Sequence, residues 1–440
     1  MYTISKDRVR DTMKRSGIKT QKELAEKMNI TTSQLSMLLS PKFDPIKSNA
    51  KKLCEVLNVS LEDIIQEQLS MYFTNEAIEI DEESKHQSKG NNEFIDVQDI
   101  TPLRNYNVVE LFAGAGGLAL GLEKSGFKTV GLVEVDKFAC QSLRANRPLW
   151  NVIEEDITKV AELGISNYVD TKNEIDLLSG GYPCQAFSYA GKKMGLEDVR
   201  GTMFYYYSII LDELRPKLFL AENVRGLVNH DKGRTLATMI KVFSDLGYTI
   251  KWEVLSALNY NVAQKRERIV LIGVRNDLVE QYNVSYKFPK PYGQKLTLKD
   301  ILKNVPKSDG AKYPESKKKV LDLVPPGGYW RDLPENLAKE FMGKSYYSGG
   351  GRTGMARRLS WNEPSLTLTC SPAQKQTERC HPSETRPFTV REYARIQSFP
   401  DNWTFSGSMA NQYKQIGNAV PVNFAHAIGL SIIDLLNKIN

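Results

Sequence analysis

The chain has 440 residues, of which 41% are hydrophobic and 25% charged, ordinary proportions for a globular chain with roughly two or three cores. Five scattered cysteines form no Cys-x-x-Cys pair, which argues against a disulfide framework or a structural zinc. Met1 to Arg10 is charged rather than apolar, and no uncharged apolar run approaches a bilayer's thickness, so a cytoplasmic location with no membrane partner is expected. The net charge of +7 is unevenly spread. Residues 1–66 carry twelve basic and eight acidic side chains, residues 67–104 three and nine, and residues 285–385 eighteen and ten. Two basic modules separated by an acidic stretch fit a polyanion held at two places, although ordinary solvated lysine surface gives the same totals.

Residues 1–66 read as a small helical domain. Leu24, Ala25 and Met28 recur at helical spacing, Asn29 breaks the pattern, and Thr31 or Thr32 caps a second helix that runs to Leu39. Polar Ser33 and Gln34 would lie on its outer face, where a DNA-reading helix presents its contacts. The stretch resembles the phage-repressor type of helix-turn-helix, in which the second helix enters the major groove. A ligand-free helical bundle is the plainer alternative. Residues 67–104, acidic and without periodicity, read as a linker.

The large domain, residues 105–284, opens on the buried strand Asn107 to Phe112, then a glycine turn and a helix ending near Ser125. Gly114 and Gly116 permit tight turning and close backbone approach. A second strand ends at Glu134, twenty residues after Gly114, where a carboxylate can take ribose hydroxyls. This much fits several nucleotide cofactors. Asn151 to Ile153, Ile175 to Leu178, Lys217 to Ala221 and Ile269 to Val274 continue the alternation as strands. Their ends carry Asp156, Cys184, Glu222 and the pair Arg266 and Arg268, an arrangement poor for a core but normal for a ligand crevice. A lone cysteine is ordinarily a small buried hydrophobe, so Cys184 gains meaning only from this company. Residues 285–385 gain glycine, proline, lysine and arginine and lose the alternation, which marks an irregular inserted domain. Residues 386–440 return to helices, Val390 to Ser398 and Pro421 to Leu436. Cys370, Cys380 and His381 match no common zinc spacing, so no metal is expected.

Phe112-Ala113-Gly114-Ala115-Gly116-Gly117, Gly181-Tyr182-Pro183-Cys184-Gln185-Ala186-Phe187-Ser188, Glu222-Asn223-Val224, Gln264-Lys265-Arg266-Glu267-Arg268, Arg386 to Glu392 and Gln415-Ile416-Gly417-Asn418-Ala419-Val420 stand in one order along the chain. In that order they resemble the signatures of a DNA (cytosine-5)-methyltransferase of the restriction-modification type, over residues 107–280 and 386–430. The resemblance implies an α/β, doubly wound (Rossmann-like) catalytic domain that uses S-adenosyl-L-methionine, with a target recognition domain inserted and an all-α helix-turn-helix domain in front.

It also implies roles. Cytosine C5 is too weak a nucleophile until a thiolate adds at C6, which is Cys184's role. Glu222 would address N3 and the exocyclic amine with a raised pKa, Arg268 would hold O2, and Arg266 would orient the site. Phe112, Gly114, Gly116, Gly117 and Leu118 would surround the methionine part, Glu134 the ribose, and Val135, Asp156 and Ile157 the adenine, with Pro183 and Asn418 closing the pocket. Val135 departs from the aromatic residue that many members place there, and Ile157 reads equally well as plain core. Double-stranded DNA would meet Gln185, Ser188, Gln264, Arg352 and Arg357, besides Ser33 and Gln34. The residues from Gln185 to Thr202 have the composition of a closing loop. A monomer is expected for methylation, with pairing through the N-terminal domain on operator DNA. Two alternatives share these residues: a transcriptional regulator, and an RNA cytosine-5 methyltransferase, the latter disfavoured by the basic insertion.

Overall fold

A computed structural model describes residues 3–4, 6–18, 20–32, 35, 38–39, 47–59, 65–66, 92–172, 174–182, 202–347 and 353–439. These fall into two compact units that part near residue 77. The N-terminal unit contains helices α1 (Lys6–Arg15), α2 (Gln21–Lys27) and α3 (Lys47–Leu57), and Thr3–Ile4 pairs antiparallel with Ile65–Gln66. Thr20 caps α2, its hydroxyl accepting from the Glu23 amide at 3.1 Å. Asn29 takes a φ of 53°, a left-handed conformation that asparagine tolerates. Leu24, Ala25 and Met28 then meet Leu35 and Leu38 in one apolar cluster, as the helical spacing requires.

The second unit is built on a seven-stranded sheet: β1 (Tyr106–Leu111), β2 (Phe127–Glu134), β3 (Val152–Glu154), β4 (Leu177–Gly180), β5 (Leu218–Val224), β6 (Tyr248–Ser256) and β7 (Glu267–Arg275), in the order β3-β2-β1-β4-β5-β7-β6. β3, β2, β1, β4 and β5 run parallel, and β7 runs antiparallel to both β5 and β6. β1, β4 and β5 are buried almost throughout, as strands covered on both faces must be. Helices α4 (Gly117–Ser125), α5 (Lys137–Asn146), α6 (Ile157–Leu163), α7 (Met203–Leu214) and α8 (Arg234–Asp245) connect the strands. Chain direction across the sheet reverses between β1 and β4, and a doubly wound fold opens its ligand crevice at that point.

The sequence reading missed β6. Tyr248, Ile250, Trp252 and Val254 alternate with Thr249, Lys251 and Glu253, the period of a half-exposed edge strand and not the continuous apolar run by which the buried strands were read. Residues 92–104, expected as part of a linker, are bound to this unit. Phe94–Ile95 pairs with Phe288–Pro289, Val97 is fully buried, and the Asn92 side chain donates to the Trp252 carbonyl at 3.0 Å. The acidic average of the stretch concealed this apolar minority. The inserted region has helices α9 (Glu315–Asp322) and α10 (Glu335–Met342) over a small core of its own that includes Tyr313, Trp330 and Met355. Its margins belong elsewhere: Phe288 packs into the sheet's core, and Leu298, Leu359 and Leu368 pack with the C-terminal helices.

Those helices are α11 (Val390–Ile396), α12 (Met409–Asn418) and α13 (Val422–Lys438). The Met409–Lys438 stretch is apolar and long enough by composition to cross a membrane, but 83% of that window is buried inside the protein. α13 is apolar because it is a core helix lying against α4. A Cβ on Gly121 would stand 2.4 Å from Ala425 Cβ, 2.6 Å from the Val422 carbonyl oxygen and 2.8 Å from the His426 amide nitrogen. Gly121→Ala therefore sets a helix-propensity gain of about 1 kcal/mol against an overpacking cost of about 1–3 kcal/mol. Two of the three obstructing atoms are backbone and cannot swing aside, so a lower thermal midpoint is expected. An unchanged or higher midpoint in calorimetry would show that the two helices separate freely.

Candidate active site

The turn after β1 is where the sequence concentrates glycine. Phe112, Gly114 and Gly116 take φ of 57°, 53° and 86°, so the chain reverses through left-handed residues before α4 begins. A Cβ on Gly116 would stand 2.7 Å from Leu143 Cδ2, and one on Gly117 would stand 2.2 Å from the Val420 carbonyl oxygen. A Cβ on Gly114 would meet no protein atom within 4 Å, so there only φ demands glycine and the backbone stays open to approach. Leu118 and Ile157 are buried, Phe112 is half-buried, and Asp156, Val135 and Asn418 are exposed.

Glu134 ties two strand ends together. Its Oε2 accepts from the Gly114 amide at 2.7 Å, and its Oε1 accepts from the Val135 and Asp136 amides at 2.9 and 2.7 Å. A carboxylate offers about four acceptor positions, so roughly one remains for a hydroxyl. Beside it, Asp136 caps α5 and pairs with Lys414 at 2.9 Å, while Asp156 caps α6 through the Thr158 amide. Asn418 ends α12 and accepts from the Cys370 thiol at 3.0 Å. An open glycine backbone, a fixed carboxylate with spare capacity and an exposed apolar Val135 fit a ligand with vicinal hydroxyls and a flat apolar ring.

The ends of β4 and β5 form the neighbouring half of the crevice. Pro183, Cys184, Gln185 and Ser188 lie outside the described residues, as do Ser33, Gln34 and Arg352 and almost all of the expected closing loop. Tyr182, the last described residue before them, is buried, its ring edge-on to Phe204 and Tyr207 at 5.8 and 5.7 Å. Its carbonyl accepts from the Asn223 side chain at 3.0 Å. A Cβ on Gly181 would stand 2.9 Å from Glu222 Oε2, so the backbone three residues before Cys184 runs directly against that carboxylate. The sequence Glu222-Asn223-Val224 signals no role for Asn223, because nothing in its neighbours shows that its amide turns inward.

Glu222 and Arg268 meet across β5 and β7, with Arg268 Nε 2.8 Å from Glu222 Oε1. The contact is an ion pair short of hydrogen-bond alignment, and Oε1 is left without an aligned donor. Arg266 is 2% exposed and donates to the carbonyls of Leu368 at 3.4 Å, Gly417 at 3.3 Å and Ala419 at 3.1 Å. Burial, then the charge of Arg268, push its pKa down to about 9 while Glu222 pulls it back up, so it remains a cation at neutral pH.

One expected DNA contact, Gln264, does not survive in this geometry. Gln264 is fully buried, its carbonyl taken by the Leu368 amide at 2.9 Å and its amide donating to Gln397 at 2.8 Å, so it faces the interior and not DNA. Arg357 is only 14% exposed, over the Tyr329 ring and 3.9 Å from Glu363. Arg358, another basic side chain of that run, is buried and donates to the carbonyls of Leu321, Val324 and His381. Basic residue type alone could not separate such internal staples from surface contacts. Among the described residues no three His, Cys, Asp or Glu side chains are grouped as a metal ion requires.

Comparison with known proteins agrees with this layout. A sequence model for C-5 cytosine-specific DNA methylases matches residues 106–434, and one for helix-turn-helix domains matches residues 11–64. The chain is 56% identical over 437 residues to the type II methyltransferase M.Sau96I of Staphylococcus aureus, covering 99% of this chain and 100% of that one. It is 60% identical over 343 residues to the type II methyltransferase M.Eco47II of Escherichia coli, covering 76% and 80% of the two. A crystal structure described as a DNA modification methyltransferase from an E. coli prophage superposes with a TM-score of 0.56 at 25% identity, over 76% of this chain and 100% of that one. The Dnmt2 methyltransferase of S. pombe shares the fold, with a TM-score of 0.53 at 17% identity, over 76% and 100%.

Glu110 on β1 offers a test of the electrostatics beneath this crevice. It is fully enclosed, and burial pushes its pKa well above the ordinary 4.5, with the charge of Glu134 adding to the rise. Between 4.5 and the raised value the folded state holds a proton that the unfolded state has released, so stability falls as pH rises. Glu110→Gln removes that dependence. Its thermal midpoint, compared with wild type at pH 5 and pH 8, is expected to gain most at pH 8; a gain independent of pH would mean that Glu110 folds in its charged form.

Proposed function

Because the chain belongs to the family of C-5 cytosine-specific DNA methylases, we propose that it transfers a methyl group from S-adenosylmethionine to C5 of a cytosine in a short duplex DNA site, protecting that site from a companion endonuclease. It is a type II DNA (cytosine-5)-methyltransferase. The observation that carries the finer reading is the meeting of Glu222, Arg268 and Tyr182, two residues before Cys184 in the chain, at adjacent strand ends next to the open Gly114 turn.

The cofactor supplies a methyl group on a sulfonium, an electrophile that unactivated cytosine cannot use. Gly114 and Gly116 would give its methionine part backbone access, Glu134 would take a ribose hydroxyl, and Val135 and Asp156 would meet the base. On the other side, Cys184 as thiolate adds to C6, breaking the ring's aromaticity and placing the electron pair at C5. Glu222, in its carboxylic acid form, would donate a proton to N3 as negative charge accumulates there and take it back when the ring is restored, and Arg268 would hold O2 on the same ring edge. C5 would then take the methyl group as the sulfonium leaves as a neutral thioether; water would accept the C5 proton, and departure of the Cys184 sulfur would restore the ring. A base inside a duplex cannot reach this crevice, so the cytosine leaves the helical stack. Residues 285–385 would select the site, and the N-terminal domain would act on the protein's own promoter.

Wild-type protein is expected to transfer labelled methyl groups from S-adenosylmethionine to duplex DNA, and bisulfite sequencing of a plasmid carrying the gene would read the site. Cys184→Ala should abolish transfer; retained activity would remove the covalent mechanism. Asn223→Ala removes the buried hydrogen bond to the Tyr182 carbonyl, a loss of about 1–1.5 kcal/mol. That should lower kcat about tenfold while KM for S-adenosylmethionine stays near wild type, and a change in KM alone would place Asn223 at the cofactor instead. Removing residues 1–66 should spare methylation and end promoter binding.

A further inference from the structure

Gln397 follows α11, and no role in the reaction has been assigned to it. It is fully buried, and each polar atom of its amide is committed: Nε2 donates to the Ile416 carbonyl at 2.7 Å and the Ala419 carbonyl at 3.0 Å, and Oε1 accepts from Gln264 Nε2 at 2.8 Å. Gln264 passes the connection on, its Oε1 accepting from the Leu368 amide at 2.9 Å. Arg266 closes the loop by donating to the carbonyls of both Leu368 and Ala419. The Leu368 peptide is thus held at its N–H and its C=O, and the Ala419 carbonyl is held twice. Leu368 lies at the C-terminal margin of the inserted region, where that region packs on the C-terminal helices, two residues before Cys370, whose thiol donates to Asn418. Gly417 leaves no slack, since a Cβ there would stand 2.2 Å from the Thr369 carbonyl oxygen.

Two amides without exposure to water cannot exchange these partners for solvent, so a shift at Leu368 must be met by a shift at Ile416–Ala419 or by a broken buried hydrogen bond. We propose that Gln397, acting through Gln264, is a positioning residue that couples the DNA-selecting region to the Asn418 side of the cofactor crevice. Seating of DNA against the segment around Leu368 then sets the Asn418 turn, and an occupied cofactor crevice sets that segment in return. This rests on the proposed function, in which residues 285–385 meet DNA and Asn418 meets the cofactor.

The test uses the full-length protein, S-adenosylhomocysteine and a duplex bearing the site found by bisulfite sequencing. Wild-type protein is expected to bind the duplex about tenfold more tightly with S-adenosylhomocysteine present. Gln397→Met keeps volume but loses the amide, and should reduce that factor to less than about twofold. Gln264→Met should do the same from the other end. Leu302→Ala, in the same apolar core but outside the relay, should lower the thermal midpoint and leave the factor unchanged. Wild-type coupling in either folded methionine variant would overturn the proposal, as would absence of coupling in wild type. Failure of both variants to fold would also overturn it, since the pair would then hold the fold and not the coupling. If wild-type protein methylates no DNA, the proposed function fails; normal methylation with undiminished coupling in the variants removes the relay alone.

Discussion

A guanidinium enclosed in the protein interior organises the crevice. Arg266 has almost no exposure, and its charge is tolerated because three carbonyls, on Leu368, Gly417 and Ala419, turn toward it and Glu222 lies near enough to favour the charged form. Removing an ion from water is costly unless such partners compensate. The partners come from parts of the chain more than a hundred residues away, so this one cation draws the inserted region and the C-terminal helices together just before the strand that presents Arg268. The Glu222 and Arg268 pair inherits its geometry from that convergence.

The same crevice depends on close backbone approach. Gly117 admits the Val420 carbonyl, Gly417 the Thr369 carbonyl and Gly181 the Glu222 carboxylate, each at a separation that a Cβ would close. Carboxylates then do structural work before any chemistry: Glu134 holds three amides of two turns, and Asp136 and Asp156 each cap a helix. Preorganisation of this kind keeps binding groups in place at little further entropic cost when a ligand arrives.

Much of this was legible in the residues. Short apolar runs ending in glycine or carboxylate located β1 to β5 and β7, and Leu24, Ala25 and Met28 located the helix of the N-terminal unit. The edge strand β6 and the Phe94–Ile95 strand escaped, because partly exposed segments lack the continuous apolar run of a buried strand. Basic side chains hide their roles for a related reason. A basic side chain announces its charge in the sequence but not the carbonyls or rings that surround it in three dimensions, and Arg358 spends its donors inside.

The sequence by itself determined the family, the order of the strands along the chain and the residue types that the chemistry requires, since local periodicity and motif order survive without coordinates. Only the tertiary structure decided that Gln264 serves the interior and not DNA, that Asn223 holds the Tyr182 carbonyl, and that Gln397 joins two distant segments. The physical reason is that a polar side chain's role follows from which donors and acceptors packing brings within about 3 Å of it. Partners that lie anywhere from 19 to 133 residues apart leave no fixed spacing in the sequence to betray them.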